Sequence, residues 1–268
     1  NLTPDCFFKQ KTAYAIAAGL GIPAEPLSDL INGSPAPAGI DPAFWEPDAK
    51  TVDQYREADL ILLNGAGYAK WVDEVSLPRH RLVNTSASFT DAYLPTDASA
   101  ARGHGSGGDQ SHAGTASTTW LDFYQAAQQA EAVMQGLSSK RPHQQADFEH
   151  NYAALKQELM ALDLYMQRLV AAHPGKPLFV SHPVYQYFAR RYELRLQSVN
   201  WEPDVMPDEQ GLAQTQSAIM GLSGNPGILV YPALMDGGVG DTIHRTSPGH
   251  DQVWVLVPAL HPPGSFQI

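Results

Sequence analysis

The sequence predicts an α/β protein of two lobes, each a parallel sheet flanked by helices, joined by one long linking helix. Three observations predict it. Short apolar runs alternate with helical patterns in the first third of the chain. A single apolar stripe then runs along 145–172. The strand–helix alternation restarts beyond that stripe, as an open α/β sheet requires. The expected boundaries are 1–140 for the N-terminal lobe, 141–173 for the linking helix and 174–268 for the C-terminal lobe.

Each element has its own signal. "TAYAIAAGL" (12–20) is Ala-rich and helical in pattern. "TVDQYREA" (51–58) opens on a Thr cap and leads into "DLILLN" (59–64), a short apolar run bounded by Asn64-Gly65 that reads as a buried strand. "YAKWVDEV" (68–75) reads as the next helix and "RLVN" (81–84) as the next strand. That spacing implies a parallel sheet with helices on its faces. Residues 95–117 break the rhythm, being rich in Gly, Ser, Ala, Thr and Asp. A loop of that length is functional or unstructured as a rule. "TTWLDFYQAAQQAEAVMQGL" (118–137) resumes helical periodicity.

Phe148, Tyr152, Leu155, Leu159, Leu162, Met166 and Leu169 then step by 4, 3, 4, 3, 4 and 3, which sets one apolar stripe on a helix over 145–172. At 1.5 Å per residue that helix is roughly 42 Å long. A coiled coil has the same spacing, but apolar alternation on both sides suits a helix packed along two lobes. "HPGK" (173–176) stops it. "PLFVS" (177–181), "LRLQSVNW" (194–201), "GILVYP" (227–232) and "VWVLVPAL" (253–260) read as strands. "PVYQYFARRY" (183–192) and "DEQGLAQTQSAIMGL" (208–222) read as helices. The Gly-rich stretch 233–252 is left unassigned, and no internal repeat relates the lobes.

Composition narrows the function classes. The 268 residues are 43% hydrophobic, ample for two modest cores, and carry a formal charge of −11. Such acidity argues against a nucleic-acid partner. No apolar run reaches the length of a membrane span. No basic region followed by an apolar core opens the chain, which fits either a cytoplasmic protein or a mature chain whose signal has been removed. The single Cys6 forms no internal disulfide and excludes Cys-x-x-Cys zinc sites. A metal would be held by His and carboxylate. There is no G-x-S-x-G elbow, no phosphate loop ending in Lys-Ser/Thr and no H-E-x-x-H, so an enzyme reading lacks its nucleophile and acid–base pair.

Ten histidines are available. His80, His143, His150 and His173 fall on helix surfaces or ends and read as solvated, while His244, His250 and His261 lie in the irregular C-terminal region. Three remain. His182 directly follows the apolar strand 177–181, at the strand end where open parallel sheets bind ligands. The alternative is a cap for helix 183–192. His112 closes the polar stretch "HGSGGDQSH", and neutral imidazole is a common ligand for Zn²⁺. His104 is an auxiliary collector or part of a solvated loop. "DPAFWEPD" (41–48) and "NWEPD" (200–204) place carboxylates at turns. Capping suits Asp41, Glu46 and Asp48, while Glu202 is open to either role.

Several stretches resemble one family. "EADLILLNGAGYAKWVDEV" (57–75), "TTWLDF" (118–123) and "FVSHPVYQYFARRYEL" (179–194) are similar to segments of the solute-binding proteins of zinc and manganese ABC importers, the TroA-like superfamily. The likeness runs over roughly residues 40–205. It implies two α/β lobes bridged by a rigid helix, and a metal held in the cleft by three histidines and an acid. Carried over residue by residue, the third histidine matches His182. The first falls on Ala43, the second on Thr118, and the acid near Val257-Pro258. The resemblance thus marks a divergent subgroup that needs substitute ligands, and His112, six residues before Thr118, can reach the same volume.

The expected function is an extracytoplasmic receptor, a monomer in the periplasm or its equivalent, that captures Zn²⁺ or a similar divalent cation, with Mn²⁺ the other candidate. It would deliver the ion to a membrane ABC permease. The metal ligands would be His112 and His182, with Glu202 and His104 as further candidates. The alternative keeps the fold without the metal and binds another small solute or a protein partner.

Overall fold

The computed structural model describes residues 45–96, 114–172, 174–175, 177–180, 184–198, 210, 213, 228–230 and 254–256. The chain divides into two compact units, one of Asn1–Thr96 and Ala113–Arg168, the other of Asp97–His112 and Leu169–Ile268.

In the first unit, helix α1 (Ala49–Glu57) starts where the Asp48 carboxylate accepts the Thr51 N–H at 2.8 Å. The cap is therefore Asp48 and not Thr51, because Thr51 already has its backbone inside the first turn. Its far end is closed by Arg81, whose Nη1 donates to the carbonyls of Arg56, Glu57 and Ala58 at 2.9, 3.1 and 3.0 Å. Strand β1 (Ile61–Leu63) pairs in parallel with β2 (Leu82–Asn84), Ile61 opposite Leu82. The expected helix over 68–75 is only a 3-10 turn, Lys70–Asp73. Gly65, Ala66 and Gly67 all take positive φ, and Pro78 closes the other end, so little chain is left for a helix.

Both faces of this small sheet are covered, which is why "LILL" reads as an unbroken apolar run. Leu60 packs with Ala130, Val133, Leu137, Phe148 and Tyr152, joined by Leu62 and Val83. Ile61 packs on the other side with Trp45, Val52, Tyr55, Trp71 and Leu77. The Tyr55 and Trp71 rings meet at a 48° tilt, 5.0 Å between centroids. Helix α2 (Phe123–Lys140) is capped by Asp122, which accepts from the N–H groups of Tyr124 and Gln125.

Helix α3 spans Gln145–Ala172, as its periodicity predicts. Its apolar stripe is not buried throughout. Phe148 and Tyr152 are buried, but Leu162 is 49% exposed and Asp163 is buried beside it. A strict seven-residue spacing drifts by about 20° per heptad on a straight helix, so the stripe rotates off the packed face. Asp163 accepts a 2.7 Å hydrogen bond from Gln167.

The second unit carries a four-stranded parallel sheet, in order β4 (Arg195–Ser198), β3 (Pro177–Val180), β5 (Ile228–Val230) and β6 (Trp254–Leu256). Helix α4 (Gln186–Arg191) connects β3 to β4. Tyr187 is fully buried, and Phe188 meets Tyr192 edge-on at 4.9 Å. Gln210 and Ala213 have helical backbone, within the helix expected at 208–222. The helix expected at 12–20 and the stretch 233–252 lie outside the described residues.

Candidate metal centre

The carboxyl ends of β1 and β2 form one edge of the first unit, and a polar network holds them. The chain leaves β1 through Asn64 into a turn in which Gly65, Ala66 and Gly67 have φ of 81°, 52° and 68°. The turn closes with the Tyr68 N–H donating to the Gly65 carbonyl at 3.1 Å. A side chain on Gly65 would collide with Ser86 Oγ and Asn84 Oδ1. Ala66 is buried, and its N–H donates to Tyr93 Oη at 3.2 Å. Ser86 Oγ lies 2.6 Å from that hydroxyl and donates to the Asn64 carbonyl at 2.7 Å. These contacts hold a left-handed alanine that would be unfavourable alone.

Gln129 of α2 crosses the same edge. Its Nε2 lies 3.0 Å from Asn64 Oδ1 and 3.0 Å from Thr85 Oγ1, and 3.2 Å from the Asn64 carbonyl. Its Oε1 accepts from Thr119 Oγ1 at 3.2 Å. Asn64 Nδ2 in turn donates to the Ser117 carbonyl at 2.9 Å. Pro95 and Thr115 form an antiparallel bridge. The Thr96 N–H donates to the Gly114 carbonyl at 2.7 Å, and the Ala116 N–H to the Leu94 carbonyl at 2.7 Å.

The four candidate ligands, His104, His112, His182 and Glu202, lie outside the described residues, as does Ala43. The described elements fix where the chain enters each. β3 ends at Val180, two residues before His182, and is an interior strand with β4 on one side and β5 on the other. β4 ends at Ser198, four residues before Glu202. The chain resumes at Gly114, two residues after His112. Tyr185 is the N-cap residue of α4 and makes no side-chain capping hydrogen bond. Asp48 does cap, and its hydrogen bonds from Thr51 hold its carboxyl below the usual range. Thr118 is half-buried at the start of the 3-10 turn Thr119–Leu121. Among the described residues, no group of three or more His, Cys, Asp or Glu comes together to hold a metal.

Gln129, Ser86 and Tyr93 are not among the residues that the sequence singles out. One signal was available for Gln129: a long polar side chain flanked by Ala126, Ala130 and Val133 on the apolar face of α2.

The model of the family described as "Zinc-uptake complex component A periplasmic", ZnuA, matches residues 34–224. The chain belongs to the ZnuA family. The zinc-binding lipoprotein AdcA of Streptococcus pneumoniae is 26% identical over 180 residues, which cover 66% of this chain and 36% of AdcA. The metal ABC transporter substrate-binding lipoprotein ScbA of Streptococcus cristatus is 26% identical over 196 residues, 68% of this chain and 59% of ScbA. The chain thus spans between a third and three fifths of the length of these curated relatives. In fold it is similar to the metal-dependent lipoprotein YcdH of Bacillus subtilis, with a TM-score of 0.65 at 18% identity over 93% of this chain and 83% of YcdH. Among the described residues no helix is long and apolar enough to cross a membrane.

Proposed function

We propose that the chain is the extracytoplasmic receptor of a metal-importing ABC system, which captures Zn²⁺ and hands it to a membrane permease. Its role is capture and delivery, with no chemistry performed on the ion. The observation that carries this reading is the ZnuA family match over 34–224, within which an interior parallel strand ends two residues before His182. Strand ends of open parallel sheets are where such folds place ligands. The finer architecture belongs to the same proposal: lobes 1–140 and 174–268, with 141–173 as linking helix.

His182 is the principal ligand. His112 supplies a second imidazole in place of the histidine that Thr118 replaces, and Glu202 and His104 are auxiliary. A mostly imidazole set favours Zn²⁺, whereas a larger carboxylate share admits Mn²⁺. The receptor acts as a monomer.

Zinc ligation needs neutral imidazole, so affinity falls as pH drops through the imidazole pKa of about 6.5. Isothermal titration at pH 7.5 and pH 5.5 tests this. Stoichiometric zinc at pH 7.5, weaker binding at pH 5.5, and loss of binding in His182→Ala and His112→Ala support the reading. Equal affinity at both pH values contradicts it. No metal at any pH favours a relative of the same fold that binds another solute or a protein partner.

A further inference from the structure

The pair Asn64-Gly65, where the chain leaves β1, is a chemical liability as well as a turn. An asparagine followed by glycine is prone to deamidation, because no Cβ shields the glycine nitrogen and its backbone turns freely. The Gly65 nitrogen loses its proton and attacks Cγ of Asn64. The new C–N bond closes a succinimide ring, the Cγ–Nδ2 bond breaks and ammonia leaves. Water then opens the ring to aspartate or isoaspartate. The fold cannot shed this liability at position 65. Gly65 has φ of 81°, and a side chain there would strike Ser86 and Asn84. Asn64 is only half-buried, so burial alone does not protect it. Its amide is instead tied at both ends. Nδ2 donates to the Ser117 carbonyl at 2.9 Å and to the Gly65 carbonyl at 3.1 Å, and Oδ1 accepts from Gln129 Nε2 at 3.0 Å. Gln129 is 1% exposed and is itself anchored on Thr85 and Thr119. Ring closure makes Cγ tetrahedral and swings the amide over the Gly65 nitrogen, which pulls both of its atoms off these partners.

We infer that Asn64-Gly65 is a deamidation site that the fold holds in check, with Gln129 and the Ser117 carbonyl as the clamp on the Asn64 amide. The clamp fits an amide and not an acid. After conversion a carboxylate oxygen faces the carbonyls of Ser117 and Gly65, acceptor against acceptor. Conversion therefore breaks the tie between the end of β1 and the segment ahead of α2.

The test is peptide mapping by mass spectrometry after incubating the full chain at mildly alkaline pH, once native and once in urea. In urea, Asn32, which also precedes a glycine, serves as the clock for the unfolded rate. Native Asn64 should convert about tenfold more slowly than Asn64 in urea, the order expected when two hydrogen bonds must break first. Gln129→Met keeps the length and removes the amide, and should speed native conversion several-fold. Val133→Ala, a core truncation on the same helix, controls for easier unfolding and should speed it less. Asn64→Asp, which mimics the product, should melt earlier than wild type. Native conversion as fast as in urea overturns the inference. So does a Gln129→Met rate no higher than that of Val133→Ala, or an Asn64→Asp protein as stable as wild type. The comparison of native with urea-unfolded protein needs no variant, and decides the matter even where Gln129→Met fails to fold.

Discussion

Tyr55 shows how a single side chain ties the core to pH. It is buried against Trp71, and burial pushes its hydroxyl up to about 12. Below pH 10 the proton is held in both folded and unfolded chains, so the contribution is complete. Between about 10 and 12 only the unfolded chain ionises, and stability falls by about 1.4 kcal/mol per pH unit. Tyr55→Phe keeps the ring contact and removes the ionisation. In urea unfolding at pH 9 and pH 11.5, wild type should lose about 2 kcal/mol more than Tyr55→Phe over that interval; equal losses would contradict the assignment. Not every residue of this kind was legible in the sequence. Asp48 was, because an Asp ahead of a polar–apolar helical pattern caps locally. Gln129 and Ser86 were not, because their partners lie 65 and 22 residues away and only the folded sheet brings them together.

At the scale of elements, the strands and long helices followed from local pattern. The run 59–64 and the helix 145–172 were both readable because apolar periodicity decides them. The 68–75 segment departs from its helical pattern because its outcome depends on backbone conformations at Gly65–Gly67 that no periodicity reports. The end of α4 shows a second backbone exception. The Leu194 N–H donates to the Ala189 carbonyl at 2.9 Å, the six-to-one bond of a helix-terminating motif. The residue at the left-handed position is Glu193, with φ of 52°. Glycine takes that conformation freely. Glu193→Gly should therefore stabilise the protein by about 1 kcal/mol in chemical denaturation, the order of the cost of a left-handed non-glycine residue. A loss of stability would show that the Glu193 side chain contributes more than its backbone costs.

At the scale of the whole molecule, each unit carries parallel strands whose carboxyl ends lie on one side, β1 and β2 in the first unit and β3 to β6 in the second. In the first unit these ends are fixed by neutral amides and hydroxyls. In the second, β3 stops two residues before His182. The fold class was legible because strand–helix alternation and a long uninterrupted helix belong to few architectures. The ligand set was less so, because Ala43 and Thr118 stand where the family resemblance implies histidines, and replacement ligands need not keep the spacing. The most direct test is diffraction from crystals grown with saturating zinc, recorded on both sides of the zinc absorption edge. The account predicts one strong anomalous peak within bonding distance of a His182 nitrogen, with a second imidazole from His112. A protein that shows no such peak, or a zinc ion bound without His182, would contradict it.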